Sequence, residues 1–252
     1  MDSGYRSPLI DFFRRGEVAH DVRLLAAQGG FAPRALEQLA LLILLFDDPD
    51  PLIAGSACAT LDALPDAALS RFLARTDVPV EMRNFFAQRG VVVSGPAAET
   101  ADDPLLEARD DEAGPEEAET DPKVLSTLSI IRRMKLAVKG TREQRAQLIR
   151  DSSKLVSAAV LSSPKLTEAE VESFAKMANV AEDVLRIISM NRGWMKNYGV
   201  VIGLARNPKT PPAISMRLLS RLNERDMKLI AIDRNVPESL RLAARKYLVK
   251  ER

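Results

Sequence analysis

The side chains that most often carry out chemistry in proteins are scarce in this chain. Its 252 residues include one histidine, His20, and one cysteine, Cys58. A zinc site needs several such ligands at set spacings, so the sequence predicts none. A Cys–His nucleophile pair is formally available. However, Cys58 lies in the small-residue helical pattern GSACATL and is predicted to be a buried packing residue. His20 begins the amphipathic stretch AHDVRLLAAQ and is predicted to be partly exposed.

Carboxylate groups and glycine-rich loops are the other candidates for chemistry. The pair Asp47–Asp48 lies in a turn, and the acidic stretch at 168–172 begins a helix in which Thr167 and Glu170 form a capping box. We therefore predict a structural role for the carboxylates at 47–48 and for those at 168–172. The phosphate-binding patterns GxGxxG and GxxxxGK[ST] and the nucleophile elbow GxSxG are missing from the sequence. We expect a protein that is not an enzyme and needs no cofactor or metal. The remaining catalytic alternative is action on DNA bases through a lone aspartate beside an aromatic residue.

Charge divides the chain into two unlike parts. Residues 1–122 hold 10 Lys and Arg against 23 Asp and Glu, a balance of −13. Residues 123–252 hold 26 against 12, a balance of +14, and contain all eleven lysines. Such asymmetry predicts separate modules that face different partners, or each other.

The spacing of apolar residues predicts three parts and an all-α fold. Residues 1–93 carry helical periodicity interrupted by turn signals such as FDDPDP, in which Asp50 can cap a helix that begins at Pro51. They predict an N-terminal domain of four or five short helices. Residues 94–122 contain eleven acidic residues and one arginine, which predicts a disordered linker or solvated spacer. Residues 123–252 predict a basic, helical C-terminal domain.

Nine helices are predicted in the basic part. Their ranges are Leu125–Lys139, Arg142–Asp151, Lys154–Ser162, Glu168–Ala178, Ala181–Met190, Trp194–Arg206, Pro212–Leu222, Glu224–Arg234 and Pro237–Val249. No stretch of useful length alternates with the period of two that a strand requires.

One phrase recurs at the predicted joints between helices. It reads NVPESLR at 235–241, NVAEDVL at 179–185 and DVPVEMR at 77–83. Asp151, Asn179, Asn207 and Asn235 each lie 28 residues apart. We expect the Asn to end one helix, and Pro or Ala with Glu to begin the next. A helix pair every 28 residues or so is typical of an α-solenoid, in which each pair buries a face on its neighbours. A compact helical bundle is the alternative.

The joints NPKTPP, NVPESLR and DVPVEMR, each followed by a Leu/Ala-rich helix, resemble those of bacterial HEAT-like and leucine-rich-repeat-variant α-solenoids. The stretch from about Leu125 to Leu248 is similar to a family of uncharacterised bacterial helical-repeat proteins, and residues 20–90 resemble it loosely. The resemblance implies a binding scaffold and supplies no catalytic residues.

The basic part provides the candidate partner-binding residues. Arg192, Arg206, Lys209 and Arg234 lie at or near joints and would form a basic stripe if the joints align along one edge, with a step of roughly 10 Å per helix layer. Positive charge focused in this way attracts phosphates, acidic protein segments or anionic lipid.

The patch NRGWMKNYG adds three further candidates, Trp194, Lys196 and Tyr198. A cation beside an aromatic ring is the composition of base-stacking sites. The alternative is a buried helical face, because Trp194, Tyr198, Val201 and Ala205 follow the spacing i, i+4, i+7, i+11. The paired arginines Arg132 and Arg133 are predicted to be solvated.

Two functions follow from these features. The first is a protein-interaction scaffold whose helical-repeat surface holds a protein partner through an acidic segment. The alternative is a nucleic-acid-binding repeat protein that uses the basic part. In either case the acidic linker is hypothesised to fold over the basic surface as an internal competitor. The single cysteine, the short longest apolar run LALLILLF and the absence of a secretory pattern predict a cytoplasmic protein without a membrane span.

Overall fold

The computed structural model describes residues 3–30, 32, 34–93, 104–106 and 121–250. Within these residues the chain forms sixteen α-helices and no strand, which confirms the all-α class. Residues 94–103 and 107–120, most of the predicted linker, lie outside the described residues. The first helical segment, residues 3–93, contains α1 (Pro8–Arg14), α2 (His20–Ala27), α3 (Ala35–Leu45), α4 (Pro51–Asp62), α5 (Asp66–Leu73) and α6 (Val80–Gln88).

The second helical segment, residues 121–250, contains the other ten helices. They are α7 (Pro122–Thr127), α8 (Ile130–Lys139), α9 (Arg142–Leu148), α10 (Lys154–Ser162), α11 (Glu168–Lys176), α12 (Glu182–Met190), α13 (Tyr198–Arg206), α14 (Pro212–Leu219), α15 (Glu224–Ile232) and α16 (Glu238–Lys250). A short 3-10 turn, Trp194–Lys196, precedes α13.

Helix α3 is the centre of the first segment. Its sequence ALEQLALLILL is apolar on nearly all sides, and ten of its eleven residues are buried. A helix of this kind is stable only when other elements surround it, and α1, α2, α4 and α6 pack against it. As predicted, Asp50 caps α4 by accepting a hydrogen bond from the Leu52 backbone N–H at 2.9 Å, and Pro51 is its first residue.

The first segment has six helices where the sequence predicts four or five. The short α1 contributes to the excess, because its seven residues PLIDFFR span only two turns and show little periodicity. Its start is nevertheless well specified. Ser7 accepts a hydrogen bond from the Ile10 backbone N–H at 3.2 Å, and Pro8 is the first helical residue.

Two long helices predicted in the second segment are broken by internal caps. Leu125–Lys139 divides before α8, where the Ser129 hydroxyl accepts a hydrogen bond from the Arg132 backbone N–H at 3.3 Å. Trp194–Arg206 divides at Asn197, whose side chain accepts from the Gly199 backbone N–H at 2.7 Å. Ser and Asn offer the backbone such local alternatives to a continuous helix. Lys154–Ser162 is observed as predicted, and the other helices agree within three residues at each end.

The recurring phrase forms the same turn at all three of its sites. Val78, Val180 and Val236 are buried beneath these turns. The following residue, Pro79, Ala181 or Pro237, directly precedes a helix. The expected role of the Asn is wrong at 235, however. Asn235 is exposed three residues beyond the end of α15, and its backbone N–H donates to the Asp233 carboxylate at 3.0 Å.

Asn207 is placed differently, although it lies 28 residues before Asn235. It directly follows α13 and is buried. Its side-chain N–H groups donate to the backbone oxygens of Ala175 and Met177, both at 2.9 Å. It therefore ties the joint after α13 to the joint after α11, one helix pair earlier.

Polar contacts of this span recur along the second segment. They define two edges, which we call edge 1 (joints after α9, α11, α13 and α15) and edge 2 (joints after α8, α10, α12 and α14). On edge 1, the Arg206 guanidinium lies 3.1 Å from the Asp233 carboxylate. On edge 2, the Arg221 guanidinium donates to the Met195 backbone oxygen at 2.5 Å. Helices also pack against their second neighbours, in the pairs α8–α10, α10–α12, α11–α13 and α14–α16.

The two helical segments are in contact. Helix α1 packs against α10, and the buried apolar residues of both segments form one contiguous cluster. A cavity of about 460 Å³ lies where Arg34 and Glu37 of the first segment face Ser162 and Trp194 of the second.

Among the described residues, no single helix has the length and apolar character needed to cross a membrane. Helices α4 and α5 meet those requirements only when taken together, with an 89° bend between them.

Candidate binding surfaces

The basic residues predicted to form one stripe lie on two edges. Arg206 and Lys209 flank the joint after α13, and Arg234 lies in the joint after α15, so these three share edge 1. Arg192 follows α12 and lies on edge 2. Side-chain contacts join alternate joints, so successive joints lie on different edges. A basic stripe therefore stays a prediction for Arg206, Lys209 and Arg234, and Arg192 lies on the other edge.

The aromatic residues of NRGWMKNYG differ in their surroundings. Trp194 is half-buried and faces the cavity between the two segments, while Lys196 is exposed on edge 2. Tyr198 is 40% exposed, so it departs from the buried helical face considered above, whereas Val201 and Ala205 are buried as that face requires. Stacking of bases needs accessible rings beside cations, and of the two rings Tyr198 is the more accessible.

The Tyr198 hydroxyl joins two helix starts. It donates to the Asp226 carboxylate at 2.5 Å and accepts from the Asn223 backbone N–H at 3.2 Å. Burial raises the pKa of Tyr198, and the hydrogen bond to Asp226 raises it further because the carboxylate favours the protonated phenol. Tyr198 thus ties the start of α13 to that of α15.

A buried ion pair joins two helices at edge 2 earlier in the segment. The Arg145 guanidinium contacts the Glu170 carboxylate with a closest distance of 2.8 Å and donates to the Gly140 backbone oxygen at 3.0 Å. Thr167 and Glu170 form the predicted capping box. Burial alone would raise the pKa of Glu170, but hydrogen bonds from Thr167 and Arg145 outweigh it and hold the pKa below its ordinary value. The pair is therefore charged and ties α9 to α11.

A basic groove runs between α12 and α14 beside edge 2. It encloses about 640 Å³. Its lining contains four arginines and four large apolar residues: Arg186, Arg192, Arg217, Arg221, Met190, Met195, Ile214 and Leu218. We call it the arginine groove. No carboxylate is among the described residues that line it.

Two of the four arginines form no ion pair within the described residues. Arg192 and Arg217 are exposed and form no ion pair with any part of the chain that the structure describes. Arg186 is paired with Glu182 on its own helix at 2.5 Å, and both side chains are 54% exposed. An exposed pair of this kind is weak, so Arg186 can turn towards a ligand at little cost.

The pocket at edge 1 has a different character. It joins two cations, Lys176 and Arg206, with two carboxylates, Asp226 and Asp233. Arg206 is already paired with Asp233. The charges in this pocket balance, so it has less attraction for an anion than the arginine groove.

Sequence reasoning identified Arg192 but missed the groove around it. A signal was present, because Ile214, Arg217, Leu218 and Arg221 follow the spacing i, i+3, i+4, i+7 of a single helical face. This face of α14 mixes apolar and basic residues. The partner face on α12 could not be assigned without the packing of second-neighbour helices.

The residues considered for catalysis are apart from these surfaces. The His20 imidazole lies 2.9 Å from the Asp50 carboxylate and is exposed as predicted. Cys58 is half-buried rather than buried, and its thiol lies 3.7 Å from the Asp62 carboxylate. Over the described ranges, no three His, Cys, Asp or Glu residues are placed to hold a metal ion.

Comparison with known proteins finds no matching protein family, no matching curated protein and no matching solved structure.

Proposed function

We propose that the chain is a non-enzymatic binding scaffold and that its arginine groove holds an acidic, amphipathic segment of a protein partner. The observation that carries the proposal is the composition of the groove. Its lining combines four arginines with the apolar side chains of Met190, Met195, Ile214 and Leu218, and it contains no carboxylate among the described residues. An amphipathic helix or strand can place its apolar side chains against the apolar part of this lining, while its acidic side chains meet the arginines.

The scaffold is proposed to be an α-solenoid of the HEAT-like type. Packing between second-neighbour helices and polar contacts across one helix pair support this architecture. In a solenoid each repeat contacts only its neighbours, so grooves between parallel helices remain open along the array. The arginine groove between α12 and α14 is one of these.

Nucleic acid is the alternative ligand, favoured by the +14 balance of residues 123–252. A phosphate backbone would be attracted by the same arginines. The lining of the groove, however, contains no aromatic ring among the described residues, and Trp194 faces the first segment. Methionine and leucine side chains suit the apolar face of a peptide better than the faces of bases.

The test compares three fluorescent probes on the full chain by anisotropy. They are a peptide of about sixteen residues with Glu and Leu at helical spacing, the same peptide with Lys in place of Glu, and a single-stranded RNA of about 20 nucleotides. We expect the Glu peptide to bind at least about tenfold more tightly than the Lys peptide. At about 0.3 M NaCl part of this binding should persist, because apolar contacts are not screened.

The control is built into the probe set, because the two peptides share length and apolar residues. Equal binding of the Glu and Lys peptides, or no binding of either, would contradict the proposal. Tighter binding of the RNA than of the Glu peptide, lost steeply as salt rises, would replace it with the nucleic-acid alternative.

A further inference from the structure

A short piece of the acidic linker lies against the first helical segment. Within the described residues Pro104–Leu106, both Leu105 and Leu106 are partly buried and pack against the hydrophobic cluster. The hypothesis that the linker covers the basic surface does not hold for Leu106, which contacts Gln38 of the first segment instead.

Gln38 holds this piece of chain by its backbone. Its side-chain N–H donates to the Leu106 backbone oxygen at 2.8 Å, and its side-chain oxygen accepts from the Leu106 backbone N–H at 3.1 Å. The remaining amide proton has a partner in the Gly29 backbone oxygen, to which the same nitrogen donates at 3.0 Å. A glutamine amide that pairs with both backbone groups of one residue holds that residue by its main chain, and the side chain is left to make its own contacts.

The position of Gln38 explains why the site needs an occupant. Gln38 lies on α3 among leucines and is 1% exposed. Without Leu106, the Gly29 oxygen alone would remain as a partner, and two hydrogen-bonding positions of a buried amide would be empty. Buried polar groups in folded proteins are almost always paired. The site is therefore already shaped to receive a backbone amide.

Side-chain selectivity comes from the ends of α2 and α4. Gly29 follows α2 with a φ of +82°, and a methyl group at its Cα would lie 3.9 Å from the Leu106 Cβ and 3.6 Å from the Thr60 Cγ2. Leu106 thus lies beside the backbone of Gly29 and close to α4. The leucine pair of DDPLLE supplies the apolar side chains at this position, since Leu105 and Leu106 both pack against the hydrophobic cluster.

We propose that Gln38, Gly29 and Thr60 form a peptide-docking site for a short segment that contains a leucine pair. In this chain Pro104–Leu106 fills the site, and a partner protein with a Pro-Leu-Leu segment binds by displacing it. The site is separate from the arginine groove and does not depend on the function proposed for that groove.

Tethering determines how a partner competes. Eleven positions separate Val93 from Pro104, and a ligand joined to its site by a short stretch of the same chain has an effective concentration of about a millimolar. A partner peptide therefore binds the native chain weakly. It binds much more tightly once the internal leucines can no longer dock.

The experiment uses the full chain and a fluorescent peptide with the sequence of residues 101–109, ADDPLLEAR. Anisotropy is measured at about 0.3 M NaCl, where charge attraction is largely screened. The double variant Leu105→Asp/Leu106→Asp should bind the peptide at least about tenfold more tightly than the native chain, because the tethered competitor is lost. A peptide with both leucines replaced by aspartate should not bind.

Two further changes, made in the double variant, locate the site. Gln38→Glu removes the donor to the peptide carbonyl. Thr60→Gln fills the space beside Leu106 with a longer side chain. Because Thr60 is only half-buried, this variant should still fold even if Gln38→Glu does not. A folded variant of either kind should bind at least about tenfold more weakly.

The reversal Arg192→Glu/Arg217→Glu, placed in the same background, separates this site from the arginine groove. It should change the affinity less than about twofold. The proposal is overturned if the double variant does not bind the peptide. It is also overturned if binding is lost with Arg192→Glu/Arg217→Glu and retained in Thr60→Gln.

Discussion

The two helical segments use short helices in different ways. In the first, the apolar helix α3 lies at the centre, and four other helices, α1, α2, α4 and α6, pack against it. In the second, helices follow one another in a series, and side chains that reach across one helix pair tie several of them to their second neighbours. We expect the first arrangement to depend on α3 for much of its packing, and the second to distribute its packing along the series.

This difference extends to the surfaces proposed for binding. The first segment offers a buried, uncharged amide, that of Gln38, which forms short-range hydrogen bonds with a peptide backbone. The second offers exposed arginines, including Arg192 and Arg217, which act over longer distances. Binding at the first should therefore depend little on salt, and binding at the second should weaken as salt rises.

The largest expected effect comes from a buried charge in the second segment. Arg145→Met should lower the free energy of unfolding by about 3–5 kcal/mol, because Glu170 would remain buried without its partner. Urea denaturation of the full chain measures this. The matched control is Lys176→Met, which removes an exposed pair with Glu172 and should cost about 1 kcal/mol or less. Equal effects would contradict the distinction between buried and exposed pairs.

The same pair gives the second segment a pH dependence. The pKa of Glu170 is lowered from its usual 4.5, so its charged form stabilises the fold above that pH. This contribution is lost as pH falls through the lowered pKa. The stability advantage of the native chain over Glu170→Gln should therefore be full near neutrality and shrink below about pH 4.5. Thermal unfolding across this range tests the sign, and an advantage that grows in acid would contradict it.

A matched pair of core substitutions compares the two architectures directly. Leu42 in α3 and Leu185 in α12 are both fully buried, and replacement of either by alanine should cost about 2–5 kcal/mol. The extent of the damage should differ. Hydrogen exchange should quicken in every helix around α3 for Leu42→Ala, and mainly in α10–α13 for Leu185→Ala. The same spread in both variants would remove the contrast.

The smallest effects distinguish two asparagines of the apparent repeat. Asn207→Ala leaves the backbone oxygens of Ala175 and Met177 without a side-chain donor and should cost about 1–3 kcal/mol. Asn235 is exposed and does not cap α16 through its side chain, so Asn235→Ala should cost less than about 0.5 kcal/mol. A cost at Asn235 equal to that at Asn207 would mean that both act as joints in the same way.

Much of the fold was predictable because local signals determine it. The Asp50–Pro51 start of α4 and the Thr167–Glu170 capping box are written in the sequence and occur as expected. The breaks at Ser129 and Asn197 were not predicted, because apolar spacing continues across both. Each break depends on a side chain that caps the helix following it.

The binding surfaces were less predictable, for a geometric reason. Residues close in sequence, such as Arg192 and Arg206, lie on opposite edges because α13 carries the chain from edge 2 to edge 1 between them. Residues further apart, Arg192 and Arg217, come together because α12 and α14 line one groove. The contact of Leu106 with Gln38 spans 68 residues, and no local pattern indicates it.

The central claim, that the arginine groove rather than overall charge selects an acidic partner, has one direct test. Two double variants make the same change in charge: Arg192→Glu/Arg217→Glu in the groove and Lys209→Glu/Arg234→Glu on edge 1. Affinity for the Glu/Leu peptide is measured at about 0.15 M NaCl, where charges beyond about 8 Å are screened. The groove variant should bind at least about tenfold more weakly, and the edge 1 variant within about twofold of the native chain. Equal losses in both variants would contradict the claim.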